Sequence, residues 1–214
     1  MSILKSVRAG KYAFAPKTKQ ELYELIKKEI IEKGNNCSLN HIWTGQIKDF
    51  SYLFSGEFRR FNGDISEWDT SSAEDMSYMF HSSNFTGKNG GIRKWNVRKV
   101  KNMACMFYSS EFDSDINDWK IESATNIPYM FAYGKFNQNL SNWDVSKVGS
   151  VISMFEGNAY FNQDISNWEF NTGCLTSGIA GMFAGCYIQK EYKPWQLQKY
   201  HIFKRGLHEY CHII

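Results

Sequence analysis

The chain is predicted to be an α/β repeat protein, a short right-handed solenoid with one short strand and one short helical turn per unit and an N-terminal capping helix. Three observations predict it. A tryptophan stands eleven residues before a Met-Phe pair in four places: Trp68 with Met79-Phe80, Trp95 with Met106-Phe107, Trp119 with Met130-Phe131 and Trp143 with Met154-Phe155. Measured at that pair, from Leu53-Phe54 to Met182-Phe183, the periods are 26, 27, 24, 24 and 28 residues. Each unit offers too few large apolar positions to close a core alone, so neighbours must stack to bury the Trp, Phe, Met and Ile rows.

The unit reads most clearly from Phe136-Asn-Gln-Asn-Leu-Ser-Asn-Trp143-Asp-Val-Ser-Lys-Val148 through Val151 to Met154-Phe155. Its Trp-Asp-Val segment favours a strand, and the spacing Val148, Val151, Met154, Phe155 suggests a helical turn. Ser72-Ala-Glu-Asp-Met76 fits a capped first turn, and Pro128 calls for 3₁₀ or first-turn geometry. The Asn or Asp after the first Phe, at Asn62, Asp113, Asn137 and Asn162, is placed to hydrogen-bond turn backbone. A Gly-rich insert between Gly87 and Gly91 stretches one copy.

Ahead of the repeats, Thr18-Lys-Gln-Glu21 forms a capping box. Leu22, Leu25, Ile26 and Ile30 then share one helical face, and Gly34-Asn-Asn36 ends the helix. Residues 1–38 are therefore the flank and capping helix, 39–188 six repeat units, and 189–214 a divergent C-terminal cap. Ile42, not Trp43, stands eleven residues before Leu53 and takes the tryptophan's phase; Trp195 keeps the expected distance after Met182 without a following Met-Phe.

Composition narrows the function. Twenty-five basic against 22 acidic side chains leave a formal charge of +3, which gives no push toward nucleic acid. The opening Met1-Ser-Ile-Leu-Lys lacks a secretory apolar stretch, and no window approaches the ~18 apolar residues of a membrane span, so the chain is expected to be cytoplasmic. Five scattered cysteines without a C-x-x-C pair are expected to be reduced thiols.

The unit Phe-Asn-Gln-Asp-Ile-Ser-Asn-Trp-Asp-Val-Ser-x-Val-x-x-Met-x-x-Met-Phe resembles the BspA-like leucine-rich repeat surface proteins, whose ~25-residue repeat was long filed as a domain of unknown function. The resemblance covers about residues 15–188, including the entry helix Lys19-Gln-Glu-Leu-Tyr-Glu-Leu-Ile26. It implies a leucine-rich-repeat-like solenoid serving as a bacterial binding scaffold, with no catalytic residues and no cofactor. Characterised members are typically surface adhesins that bind host proteins. This chain shows no signal peptide, lipobox cysteine or sorting motif, which shifts the expectation to an intracellular or mobile-element inhibitor or adaptor, with the adhesin as alternative.

A protein partner is expected to dock on one face of the coil. Tyr52, Tyr78 and Tyr129 precede the Met-Phe position and Tyr108 and Tyr133 follow it; together they form a partner surface if exposed and another rung if buried. Arg98, Lys99 and Lys101 form the basic cluster beside it, which reads as a solvated face or, less readily, a nucleic-acid path. His208-Glu-Tyr-Cys-His212 is a literal H-E-x-x-H string, but a zinc hydrolase would need a third ligand downstream and a second lobe. His201, His208, Cys211 and His212 are weak candidates for a metal site. Asp64, Asp115 and Asp164 recur before Ile, yet Asn139 and Gly91 break any calcium ladder.

Overall fold

A computed structural model describes residue 10 and residues 12–199. Helix α1 (Lys19–Lys33) starts where Thr18 accepts a hydrogen bond from the Glu21 amide (3.1 Å), while the Glu21 carboxylate accepts from the Lys17 amide (2.7 Å). Leu22 and Ile26 are fully buried, and Gly34 ends the helix at φ 83° with its N–H returned to Ile30. The helix lies against the first unit. Tyr23 packs on Phe58 and donates to Glu57 (2.6 Å), and Lys19 reaches Asp49 and Ser51.

The expected strand and helical turn in every unit do not form, and the α/β leucine-rich-repeat solenoid is not the fold. Among the described residues the other helices are α2 (Thr172–Ser177) and α3 (Trp195–Lys199), with single 3₁₀ turns at Gly56–Phe58 and Lys190–Tyr192. Instead of strands there are isolated parallel bridges, Asp49 to Asp75, Asp75 to Asn102, Asn102 to Asn126 and Asn126 to Ser150. The three-residue spacing that suggested a helix belongs to separate turns: Val148 N–H donates to Val145, and Met154 N–H to Val151. Ala73 likewise closes a turn on Thr70 rather than opening a helix.

At two equivalent positions every unit takes positive φ, which neither helix nor strand tolerates. Just before the Met position these are Tyr52, Tyr78, Cys105, Tyr129, Ser153 and Gly181; just after the Phe they are Gly56, Ser82, Ser109, Tyr133, Gly157 and Gly185. Between the units runs a one-way backbone ladder. Met103, Cys105, Phe107 and Ser109 donate to the carbonyls of Asn126, Pro128, Met130 and Ala132 in the next unit (2.8–2.9 Å). The intervening amides close turns inside the unit, such as Met106 to Met103 and Tyr108 to Cys105. Pro128 falls where the ladder needs an acceptor and no donor, so its missing N–H leaves the ladder intact and forgoes only the side-chain cap that Ser77 and Ala104 make to Asp75 and Asn102.

Side chains stack in the same register. Phe54, Phe80, Phe107, Phe131, Phe155 and Phe183 form one column with centroids 5.4–5.7 Å apart. Phe61, Phe85, Phe112, Phe136 and Phe161 form a second at 6.0–6.3 Å, and the two touch at Phe107–Phe112 (4.0 Å). Trp68, Trp95, Trp119, Trp143 and Trp168 are buried beside them, each donating its indole N–H (3.0–3.1 Å) to Leu39, Ile65, Ile92, Ile116 or Leu140 of the preceding unit. Ile42 is fully buried and Trp43 is not, while Trp195 stands 43% exposed in α3 and is no rung of the core.

Polar rows follow the same logic. Asn62, Asp113, Asn137 and Asn162 accept from the amides of Thr86, Asn137, Asn162 and Gln189, one unit further on, rather than from their own turns. Asp64, Asp115, Asn139 and Asp164 each cap the amide two residues later (2.8–2.9 Å), a task Asn performs as well as Asp, which accounts for the mixed row.

Candidate protein-binding face

The left-handed turns decide where the tyrosines stand. At Tyr52, Tyr78 and Tyr129 φ is 59°, 57° and 55°. The side chain is thereby turned out of the row that buries its neighbours: Tyr52 is 55% exposed, Leu53 beside it 1%. Tyr52 lies flat on Tyr78 (4.6 Å, 4°), and Tyr78 contacts His81 (5.6 Å). His81 stacks on Tyr108 (5.0 Å, 4°), which reaches Tyr129 (6.4 Å) and Tyr133 (5.5 Å). The structure thus joins all five tyrosines singled out from the sequence into one strip. Tyr52 and Tyr133 are exposed, and Tyr78, Tyr108 and Tyr129 half-buried.

His81 belongs to this strip and was not among the residues expected there. It occupies, two residues after Met79, the place Tyr108 holds after Met106, and aligning the units at the Met-Phe pair is the signal that finds it.

A hydrogen bond from the Tyr133 hydroxyl to Glu156 (2.5 Å) pushes that phenol up to about 12. A hydrogen bond with Cys105 does the same for Tyr78, again to about 12. Burial pulls the His81 imidazole below its ordinary value. Gly157 lets the Tyr133 ring lie against the next unit, because a Cβ there would stand 2.5 Å from the ring.

The basic cluster resolves differently. Arg98 is paired with Glu122 (2.8 Å) and Lys101 with Glu74 (2.8 Å), which also holds Lys48 (3.0 Å). Hydrogen bonds from Lys101 and Lys48 hold the Glu74 carboxyl down to about 2. Arg93 with Asp115 and Asp118, and Lys135 with Glu111, likewise tie one unit to the next. Lys99 is exposed and has no ion pair among the described residues. Arg98 and Lys101 therefore serve the stack, and none of the strip's ring contacts involves the three basic residues. Arg93, Lys94, Arg98 and Lys120 border an open cleft of about 640 Å³, but Asp118 sits inside it and both arginines are already engaged.

His201, His208, Cys211 and His212 lie outside the described residues. Among those described, no three His, Cys, Asp or Glu side chains are grouped to hold a metal, and no helix is long and apolar enough to cross a membrane. Cys37, Cys105, Cys174 and Cys186 are free thiols, and burial raises each of them above the ordinary cysteine value.

Residues 26–135 and 125–209 match a family described as Mycoplasma protein of unknown function, DUF285. The chain belongs to the DUF285 family. Two overlapping matches on one DUF285 chain are what tandem copies of a unit produce. No curated protein and no solved structure matches it.

Proposed function

We propose that this DUF285 protein is a non-enzymatic protein-binding scaffold whose contact surface is the aromatic strip from Tyr52 to Tyr133. The observation that carries the reading is the unbroken run of ring contacts through Tyr52, Tyr78, His81, Tyr108 and Tyr133 on the surface of the stack. Each ring is held by a neighbour before any partner arrives, so little side-chain entropy is lost on binding. Phenol edges and hydroxyls then supply both apolar area and hydrogen bonds.

A protein partner fits better than a nucleic acid. Stacked rings such as Tyr52 on Tyr78 have spent a face on each other rather than leaving both for bases, and Arg98 and Lys101 are neutralised by Glu122 and Glu74. The unit's likeness to the BspA-like repeat supports the same class of role.

The test is affinity capture with the tagged chain from nuclease-treated lysate of its own host, run beside the double variant Tyr52→Ala/Tyr133→Ala. One dominant protein recovered by the parent chain and lost with the variant is the expected result. Equal recovery by both chains, or recovery abolished by nuclease alone, overturns it.

A further inference from the structure

Amides such as those of Lys101, Thr125 and Gly149 donate back to the preceding unit, but the ladder at the Met-Phe turns runs one way, so its two ends differ. In the fifth unit Val151, Ser153, Phe155 and Gly157 donate their N–H groups to the carbonyls of Gly178, Ala180, Met182 and Ala184 (2.6–2.9 Å). The corresponding donors of the sixth unit are Ile179, Gly181, Phe183 and Gly185. They have no acceptor among the described residues.

The sixth unit nevertheless keeps the geometry of the ladder. Its inner turns close as in the unit before it, Met182 to Ile179, Ala184 to Gly181 and Cys186 to Phe183. Gly181 and Gly185 hold φ at 65° and 67°. With those peptides fixed as in the fifth unit, the four N–H groups, unpaired among the described residues, face outward along the stack. Gly181, Ala184 and Gly185 are exposed, leaving bare backbone. Phe183 stacks on Phe155 (5.7 Å), while every inner phenylalanine of its column is stacked on both sides; the Lys193 ammonium lies over the Phe183 ring (5.4 Å), and a partner's aromatic side chain would displace it.

We propose that this row is a docking edge for a backbone segment of a partner protein, running parallel to residues 179–185, offering a carbonyl at every second residue and an aromatic side chain over Phe183. The ladder itself specifies the occupant. Unpaired edge donors at two-residue steps recruit a peptide backbone by the same chemistry that adds a strand to a sheet. A second copy of this chain does not fit head to tail, because α1 covers the opposite end, with Lys19 on Asp49 and Tyr23 on Phe58. This edge is independent of the aromatic strip.

Amide exchange on the ¹⁵N-labelled full chain is the test, with Val151, Ser153, Phe155 and Gly157 as internal controls of folding. Alone, the amides of Ile179, Gly181, Phe183 and Gly185 should exchange at least tenfold faster than those controls. A synthetic peptide of the fifth unit, Ser-Val-Ile-Ser-Met-Phe-Glu-Gly-Asn, at millimolar concentration should slow them, and the same peptide with Met and Phe replaced by Ala should not. Slow exchange without peptide would mean that the chain's own remaining residues cover the edge and would overturn the proposal. Fast exchange that neither peptide alters, or that both alter equally, overturns it as well.

Discussion

The indole N–H of Trp119 donates to the carbonyl of Ile92 in the preceding unit at 3.0 Å, while its ring stacks on Trp143 at 6.5 Å. One side chain thus joins three consecutive units. Trp119→Ala should cost about 3–5 kcal/mol from lost burial and the cavity left behind. Trp119→Phe keeps most of the apolar area and removes only the indole hydrogen bond, since the Ile92 carbonyl still accepts the Trp95 amide (3.1 Å), and should cost about 0.5–1.5 kcal/mol. Denaturant unfolding monitored by circular dichroism distinguishes the two; a Trp119→Phe variant as stable as the parent would mean the hydrogen bond contributes nothing.

Ser109 is exposed and held at φ 52°, where Gly56, Gly157 and Gly185 stand in other units. A left-handed non-glycine residue costs roughly 1–2 kcal/mol, part of which glycine gives back through unfolded-chain entropy. Ser109→Gly should therefore stabilise by up to about 1 kcal/mol and Ser109→Val destabilise by about 1–3 kcal/mol. A melting temperature lowered by the glycine would refute the assignment of strain to this position.

Asn137 accepts from the Asn162 amide (3.0 Å) and from the Gln163 side chain (3.0 Å). Asp113 makes the same two contacts with Asn137 and Gln138. Asn137→Asp should be close to neutral, and Asn137→Ala should cost about 1–2 kcal/mol by stranding a part-buried amide. Faster hydrogen exchange at Asn162 in the alanine variant alone is the accompanying signature.

Acid should loosen the stack. Hydrogen bonds from Lys101 and Lys48 lower Glu74 from 4.5 to about 2, and those from Ser146 and Ser166 lower Asp144 and Asp164 below 3.8. A depressed folded-state pKa means the unfolded chain takes up protons first as the pH falls. This contribution is complete above about pH 5 and is lost on descent toward pH 2. Glu74→Gln should flatten part of the slope of melting temperature against pH in that window and change nothing in its shape between pH 6 and 8. An unchanged acid limb would show that Glu74 is not linked to folding.

The sequence by itself determined the period and the identity of the recurring core residues. A row that must be buried in every unit has to carry a Trp, Met or Phe at the same step of the chain, and that arithmetic is visible without coordinates. It also separated Ile42 from Trp43, since one residue of phase decides which of them faces the core. Tertiary structure decided the backbone of the unit. Whether Tyr129 sits at positive φ depends on its amide meeting Ile152, 23 residues away, and the isolated spacing of Val148, Val151 and Met154 is shared by a helix and by successive turns. The same holds for the surface. Arg98 and Lys101 read as a solvated face or a nucleic-acid path until Glu122 and Glu74 were brought beside them, and His81 became part of an aromatic strip only when Tyr78 and Tyr108 came to lie on either side of it. Periodicity is written in covalent order, whereas the sign of a dihedral and the partner of a charge are set by residues one unit away.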